Sequence, residues 1–184
     1  SLTMLLTPAE NANGSVNVTV TVSDGQSISS ESFILDVQSV NDIPVIADQT
    51  FSINENTQTS TIAYTIVASD IESSASLTYS ITNISPADHF SVNETTGEIQ
   101  VTGALNYENI TEYAMTIQVS DGTDTASASL TATVTDLNER PVISVIDSLS
   151  TNEFTATSPI PFTLVDVDGD ALSLTVTSSN ESIV

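Results

Sequence analysis

An acidic, asparagine-rich segment that ends in Pro-Val-Ile occurs twice in this chain, and this repetition limits what the chain can fold into. The first copy, SVNDIPVI, covers residues 39–46, and the second, TDLNERPVI, covers residues 135–143. Pro44 and Pro141 are 97 residues apart, and the repeated VSDG motif places Asp24 and Asp121 97 residues apart as well. A shared period of this length predicts tandem domains of one kind.

The net charge narrows the class of partner. The chain has 24 acidic residues and a single basic one, Arg140, which gives a formal net charge of −23. Such a chain repels nucleic acid and anionic membrane surfaces, so neither is expected as a partner, and cations are favoured instead. Hydrophobic residues still make up 39% of the sequence, which is enough to supply a folded core.

Cysteine is absent, which excludes disulfides, thiol catalysis and thiolate zinc sites. The lack of cysteine is also compatible with a bacterial exported protein. No apolar run approaches the roughly 18 residues of a membrane-spanning helix, and no signal peptide is recognisable. Because the chain opens in the middle of a repeat, we expect it to be a piece of a longer protein.

Hydrophobic residues alternate with polar ones throughout, which predicts β-strands. Outward-facing threonines favour extended backbone, and Asp-Gly and Thr-Gly pairs at Gly25, Gly97, Gly122 and Gly169 predict the turns between strands. Short strands with turns about every ten residues are typical of an all-β antiparallel sandwich. The segments with the clearest alternation are VNVTVTV (16–22), LTYSI (77–81), YAMTIQV (113–119), ASASLTATV (126–134) and LSLTV (172–176).

Pro44 and Pro141 mark the predicted domain boundaries, since proline suits the start of an edge strand and cannot donate to a central ladder. Residues 44–138 are predicted to form one complete domain. Residues 1–43 would contribute only the last strands of a repeat, and residues 139–184 only the first strands of the next.

The middle repeat resembles a cadherin domain over its whole length, because six of the family's motifs occur in order. The resemblance implies tandem Greek-key β-sandwiches of the cadherin and immunoglobulin type. The flanking pieces are similar to bacterial cadherin-like repeats, with VDVDGDAL in the place of SDIE. The six motifs are INENT around Glu55, ASDIE with Asp70 and Glu72, FSVNETTGEIQV (90–101), LNYE (105–108), VSDG with Asp121, and DLNERP (136–141).

The resemblance implies calcium ions held between successive domains. Calcium takes six to eight oxygen ligands, more than any single loop of this chain offers, so strand ends of two neighbouring domains would have to share each ion. By resemblance, the second junction would draw on the end of the middle domain, the linker and the next domain. Its expected ligands are Glu55, Asn106, Glu108, Asp136, Asn138, Glu139, Asp166 and Asp168.

The first junction would hold fewer or weaker calcium ions. Ser39 stands where the second junction has Asp136, and LTPAEN replaces LNYE. The second junction departs from the family's pattern only at Asn106 and Glu139, where aspartate is usual. The ligands expected at the first junction are Asn41, Asp42, Asp70, Glu72 and Asp121.

Neither flanking piece has enough strands to bury a sandwich core by itself. We therefore expect the pieces to complete each other between molecules, as a domain-swapped dimer or a head-to-tail chain. A single chain would struggle to join them, because they leave opposite ends of the middle domain.

Catalysis is not expected. His89 is the only histidine, and its position before a strand predicts a loop residue rather than a base. Paired carboxylates could in principle hydrolyse glycosides, but here the acids gather at domain junctions. A polysaccharide-binding module remains the alternative, although the chain has no tryptophan and only Tyr64, Tyr79, Tyr107 and Tyr113 as candidate sugar platforms.

These observations together predict an extracellular repeat segment of a membrane-associated bacterial cell-surface or secreted adhesin. Calcium would bind the repelling carboxylates at each junction and stiffen the linker. The expected partners are calcium, neighbouring repeats of the same protein and a second copy of the chain through homophilic or swapped association.

Overall fold

A computed structural model describes residues 2–72 and 77–180, and within these ranges the only regular secondary structure is β-strand. The thirteen strands are β1 (Gly14–Ser23), β2 (Ile28–Val37), β3 (Val45–Ile46), β4 (Gln49–Asn54), β5 (Ile62–Thr65), β6 (Ala68–Ser69), β7 (Thr78–Ser85), β8 (Phe90–Val92), β9 (Glu98–Val101), β10 (Glu112–Ser120), β11 (Thr125–Thr135), β12 (Val142–Ile143) and β13 (Leu164–Val165).

A β-sandwich occupies the middle of the chain. One sheet has the order β4-β11-β10-β7, and the facing sheet has the order β5-β9-β8. The alternation on β10 and β11 places one side of each strand in the core, as the sequence predicts. The buried hydrophobic core consists of Phe51, Ile66, Leu77, Phe90, Ile99, Val101, Leu105, Tyr113, Met115, Ile117, Val119, Leu130, Ala132 and Val134.

One ladder differs from the predicted antiparallel arrangement: β4 runs parallel to β11, with Gln49 opposite Leu130 and Asn54 opposite Thr135. The other ladders of the sandwich are antiparallel. The parallel pair brings the end of the first long strand of the sandwich to the end of its last strand. The Glu55 amide then donates to the Thr135 carbonyl at 3.0 Å, which places Glu55 beside the linker that follows β11.

The 97-residue period is visible in the turns. Asp24 Oδ1 accepts hydrogen bonds from the amides of Gln26 and Ser27 at 2.9 and 2.6 Å. Asp121 Oδ1 accepts the same pair of bonds, from Thr123 and Asp124, at 2.6 and 2.7 Å. An aspartate that caps its own turn in this way fixes a tight connection between strands, so the hairpins β1–β2 and β10–β11 share one turn geometry.

The period also repeats at the two proline-containing segments. After Pro44, β3 pairs antiparallel with β6, so that Val45 lies opposite Ser69. After Pro141, β12 pairs antiparallel with β13, so that Val142 lies opposite Val165. Each short ladder therefore anchors a linker next to an acidic loop, which is DIE after β6 and DVDGD after β13.

The strand predicted at LSLTV (172–176) is not formed, because residues 171–180 contain no strand. Leu172, Leu174 and Val176 alternate as a strand would, but no neighbouring strand pairs with them in this structure. Backbone groups of an isolated extended segment are satisfied by water rather than by a ladder. The segment has the alternation of a strand but lacks the pairing that a strand requires.

Candidate functional site

Glu55 is the best-anchored acid of the second junction. It follows β4 and is 1% exposed, and its two carboxylate oxygens accept separate backbone hydrogen bonds. Oε2 accepts from the Tyr107 amide at 2.9 Å, and Oε1 accepts from the Leu137 amide at 2.8 Å. Burying a carboxylate is costly unless it is hydrogen-bonded, so these two bonds hold Glu55 between the LNYE turn and the linker.

Three overlapping groups of carboxylates lead from Glu55 to the loop that follows β13. In each group, one oxygen from every member lies within 4.8 Å of the others. Glu108 belongs to two of the groups and Asp168 to two, so the clusters form a continuous row across the junction. The groups are Glu55, Glu108 and Asp136; Glu108, Glu139 and Asp168; and Asp166, Asp168 and Asp170.

The linker is fixed against both sides of the junction. The Glu139 amide donates to Asp168 Oδ2 at 2.7 Å, and Asn56 Nδ2 donates to Glu139 Oε1. Asn138 Nδ2 donates to the Glu139 carbonyl at 2.9 Å. These contacts place the Glu139 carboxylate between the end of β4 and the acidic loop after β13.

Two carboxylate oxygens at this junction are buried without a hydrogen-bond partner in the part of the chain that the structure describes. They are Glu139 Oε2 and Asp168 Oδ1. A buried charged oxygen that lacks a donor is costly, and the chain has almost no cationic side chains to neutralise it. A calcium ion, which takes carboxylate oxygens as ligands, fits this donor set.

The electrostatics of the second junction favour neutralisation. Burial raises the pKa of Asp136, and the nearby carboxylates of Asp168 and Glu55 raise it further. Burial likewise raises the pKa of Glu139, with contributions from Glu55 and Asp168. Both shifts mean that the ionised carboxylates are disfavoured in the absence of a positive charge.

Asn106 lies in the same turn as Glu108. Its backbone carbonyl accepts a hydrogen bond from the Ile110 amide at 3.0 Å, and its side chain is exposed. The turn therefore fixes the backbone at Asn106 and brings the residue next to the carboxylate row, where its side-chain oxygen would be a neutral ligand rather than a charged one.

The first junction is held by hydrogen bonds through Asn41. Asn41 Nδ2 donates to Asp121 Oδ2 at 2.9 Å and to Asp124 Oδ2 at 3.0 Å. Hydrogen bonds from the backbone amides of Asp124 and Thr123 lower the pKa of Asp121, and the side-chain amide of Asn41 lowers it further. One neutral side chain thus links the linker to two carboxylates on the β10–β11 turn.

The remaining acids of the first junction form a short chain. The Asp42 amide donates to Glu72 Oε2 at 3.2 Å, and the Glu72 amide donates to Asp70 Oδ1 at 2.9 Å. Burial raises the pKa of Glu72, and the charges of Asp42 and Asp70 add to the shift. Among the described residues, no group of three acids at this junction approaches within 4.8 Å.

The two junctions share one hydrogen bond at matching positions of the repeated sequence. In each, the amide of an acidic linker residue donates to the second acid of the loop that follows the short ladder: Asp42 to Glu72, and Glu139 to Asp168. The alignment of VDVDGDAL with SDIE therefore corresponds to equivalent positions in space. The junctions differ in how many carboxylates surround this shared contact.

Sequence reasoning missed three participants. Asp170 completes the third carboxylate group, Asp124 accepts from Asn41, and Asn56 donates to Glu139. The alternating acids of DVDGD were a signal for Asp170, since every second residue of that run is an aspartate. Nothing local marked Asp124, and Asn56 stands in the INENT motif without an assigned role. Both roles depend on contacts across more than eighty residues of sequence.

His89 occupies a loop, as predicted, and has a structural contact. Its Nδ1 lies 2.8 Å from the hydroxyl of Tyr113, whose ring is fully buried. Burial raises the pKa of Tyr113, so its hydroxyl stays protonated at neutral pH and can donate to the imidazole. This pair lies at the edge of the core, and neither residue belongs to the three carboxylate groups.

Comparison with known proteins supports the resemblance. A family model described as "Cadherin domain" matches residues 49–135. The human protein "Cadherin EGF LAG seven-pass G-type receptor 3" is 33% identical over 159 residues, which cover 79% of this chain and 5% of that protein. Human "Protocadherin Fat 1" is 36% identical over 86 residues, which cover 45% of this chain and 2% of that protein.

Solved structures show the same fold. The structure titled "Protocadherin gammaB7 EC3-6 cis-dimer structure" superimposes with a TM-score of 0.61 at 27% identity and covers 74% of this chain and 36% of that chain. Protocadherin Gamma B2 extracellular cadherin domains 3–6 give a TM-score of 0.59 at 25% identity, over 70% and 34% of the two chains.

This chain spans only about a twentieth or less of the curated relatives described above. The matches are to cadherins and protocadherins, and no enzyme family is indicated. A search of the described residues found no helix with the length and hydropathy needed to cross a membrane. The motif order, the sandwich and the matched family model lead to one conclusion: residues 49–135 of this chain form a cadherin domain.

Proposed function

We propose that this chain is a calcium-stiffened spacer of an extracellular cell-surface adhesin, with repeats divided at residues 1–43, 44–138 and 139–184. The cadherin matches support the assignment to an extracellular, adhesion-type repeat. The calcium-dependent mechanism, the bacterial source and the division into repeats are proposals. Only the sequence supports the proposed bacterial source. The supporting features are the resemblance of the flanking pieces to bacterial cadherin-like repeats and the lack of cysteine.

The observation that carries the calcium proposal is the carboxylate row at the second junction with its two unpartnered buried oxygens, Glu139 Oε2 and Asp168 Oδ1. Residues from the sandwich, the linker and the following repeat all contribute to the row. The ligands would be Glu55, Asn106, Glu108, Asp136, Asn138, Glu139, Asp166, Asp168 and Asp170.

A bound calcium would supply positive charge that offsets the repulsion among these carboxylates. The protein's own contribution is to hold the acids in place. Glu55 is fixed by two backbone amides, and Glu139 is fixed by its contacts with Asp168 and Asn56. Because the row crosses the linker, neutralising it would restrain the next repeat relative to the sandwich and convert a flexible joint into a stiff one.

The first junction would bind calcium less strongly. Its ligands would be Asn41, Asp42, Asp70, Glu72 and Asp121, but here the Asn41 amide already bridges Asp121 and Asp124. A neutral donor can partly satisfy these carboxylates without metal. We therefore propose fewer or weaker ions at this junction than at the second.

The polysaccharide-binding alternative receives no support from the tyrosines. Tyr113 is buried, and Tyr64, Tyr79 and Tyr107 are half-buried and pack against the core. Tyr64 stacks on Phe51 with ring centroids 5.1 Å apart. None of the four therefore offers an open aromatic platform for a sugar ring.

Calorimetric titration of the chain with calcium, after removal of metal by chelator, tests the proposal. Extracellular modules bind calcium with Kd values of about 10⁻⁴–10⁻³ M, so we expect saturable binding in that range, a higher melting temperature and a more elongated particle in solution scattering. Heats equal to those of dilution, together with an unchanged melt in chelator, would refute it.

A further inference from the structure

Asn56 follows the buried Glu55 and has a backbone conformation that few residues adopt. Its φ is +56°, in the left-handed region that asparagine tolerates better than most residues other than glycine. Its amide donates to the Leu105 carbonyl at 3.0 Å, and the Thr57 hydroxyl donates to the Asn54 carbonyl at 2.6 Å. The backbone around Asn56 is thus fixed within the sandwich, independently of its side chain.

The side chain of Asn56 leaves the sandwich and reaches the second linker. Its Nδ2 donates to Glu139 Oε1, across 83 residues of sequence. The backbone of Glu139 is held separately, because its amide donates to Asp168 Oδ2 at 2.7 Å and its carbonyl accepts from Asn138 Nδ2 at 2.9 Å. The bond from Asn56 therefore acts on the side chain of Glu139 rather than on its backbone.

The two carboxylate oxygens of Glu139 differ as a result. Oε1 accepts from Asn56, whereas Oε2 is buried and has no hydrogen-bond partner among the residues that the structure describes. Glu139 also belongs to the carboxylate group with Glu108 and Asp168. A buried carboxylate oxygen without a donor, in a group of this kind, suits a divalent cation. The amide of Asn56 leaves Oε2 as the more available of the two oxygens.

The length of the Glu139 side chain makes this contact possible. Aspartate is usual at this position of the junction motif, and glutamate has one more methylene. Asp168 and Asn138 hold the backbone of residue 139, so we expect a shorter carboxylate to stay near the linker and not to reach Asn56. The contact therefore depends on the combination of Asn56 with Glu139.

We propose that Asn56 is a positioning residue for the divalent cation of the second junction, an inference that rests on the calcium function proposed above. Its side-chain amide holds Glu139 Oε1 and leaves Oε2 for the cation. The same bond ties the linker to the sandwich when no metal is bound. Asn56 is not a ligand in this proposal, since it acts through Glu139.

Asn56→Gly removes the side chain and keeps the backbone conformation, since glycine adopts positive φ without strain. Ser60→Gly is the matched control. Ser60 is exposed and has a φ of +73° in the same connection between β4 and β5, and its hydroxyl makes no hydrogen bond to the described residues. The effect of a new glycine on the unfolded chain is therefore common to both variants.

Calcium affinity, measured by calorimetric titration, is the first readout. Loss of a group that orients a metal ligand costs about 10–100-fold in affinity, so Asn56→Gly should raise the Kd at least about tenfold. Ser60→Gly should change the Kd by less than about twofold. If the native chain binds calcium and Asn56→Gly binds it equally well, this inference is overturned and the proposed function stands. A native chain that binds no calcium would refute both.

A double-mutant cycle with Glu139→Asp separates positioning from a purely structural role of the turn. The shorter side chain should not reach Asn56, so adding Asn56→Gly to Glu139→Asp should change calcium affinity by less than about twofold. A purely structural role of Asn56 predicts the same loss of affinity with either residue at position 139. Equal losses in the two backgrounds would therefore overturn the inference.

Hydrogen exchange in chelator tests the contact without metal. One net hydrogen bond corresponds to about a two- to tenfold change in a local opening equilibrium. Asn56→Gly should speed exchange of the Glu139 amide by about this factor, because the linker loses one of its attachments to the sandwich, while the amides of β10 and the Ser60→Gly variant should be unaffected. An unchanged Glu139 amide, or a loss of protection that extends through β10, would contradict the contact.

Discussion

Replacement of Glu108 by glutamine separates metal binding from folding more cleanly than any other change at the second junction. Glu108 is exposed and belongs to two of the carboxylate groups, yet within the described structure its side chain makes no hydrogen bond. The substitution keeps the size of the side chain and removes one charge. Any loss of stability that appears only with calcium therefore reports the loss of a ligand.

The expected magnitude follows from binding linkage. At about 10 mM free calcium, a site with a Kd of about 10⁻⁴ M stabilises the folded state by about 2.7 kcal/mol, and a tenfold weaker site by about 1.4 kcal/mol. Loss of a supporting ligand weakens metal binding at least about tenfold. The difference of about 1.3 kcal/mol lowers the melting temperature of a domain this size by roughly 5–10 °C.

Thermal melts followed by circular dichroism, in calcium and in chelator, provide the assay. In chelator, Glu108→Gln should leave the melting temperature unchanged or raise it slightly, because it removes a repelling charge from the row. Glu112→Gln is the matched control, since Glu112 is an exposed acid nearby in sequence that belongs to none of the three groups. The reasoning is wrong if both variants lose the same calcium-dependent stabilisation, or if Glu108→Gln is equally destabilising in chelator.

Three further predictions concern the rest of the described fold. Glu55→Gln should destabilise the domain by about 1.5–3 kcal/mol in urea titrations even in chelator, because one of the two backbone amides would face an NH2 group and the other would keep only a neutral acceptor; a loss seen only in calcium would contradict this. Gly103→Ala should cost about 1–3 kcal/mol, since the added Cβ would lie 2.6 Å from His89 Cγ, and His89→Ala in the same chain should recover part of that loss in urea titrations. Backbone amides of Gln26 and Ser27 lower the pKa of Asp24 below 3.8. Its contribution to stability should therefore be complete above pH 3.8 and be lost only as the pH falls through the lower folded value; an NMR carboxyl titration with a midpoint at or above 3.8 would refute this.

The sequence alone predicted four of the five longest strands and most of the acids that lie together at the second junction. Alternation identified β1, β7, β10 and β11, and the motif order placed Glu55, Glu108, Asp136, Glu139 and Asp168, which the structure brings together in one row. The four strand predictions are confirmed, because strand alternation is a local property. The positions of acids at strand ends follow directly once the strands are known.

Other features depended on partners distant in sequence. The parallel pairing of β4 with β11, the two amides that hold Glu55 and the bridge from Asn41 to Asp124 have no local signal. The segment LSLTV illustrates the reverse case, since its alternation is as clear as that of LTYSI but it forms no strand.

The sequence by itself determined the repeat, the period-two faces and the placement of negative charge near the linkers. Only the tertiary structure decided which strand lies beside which, and therefore which carboxylates share a junction. The physical reason is that a strand's hydrogen bonds are made to another part of the chain. Alternation within one segment indicates a strand that must pair with another, but it does not identify which strand that is.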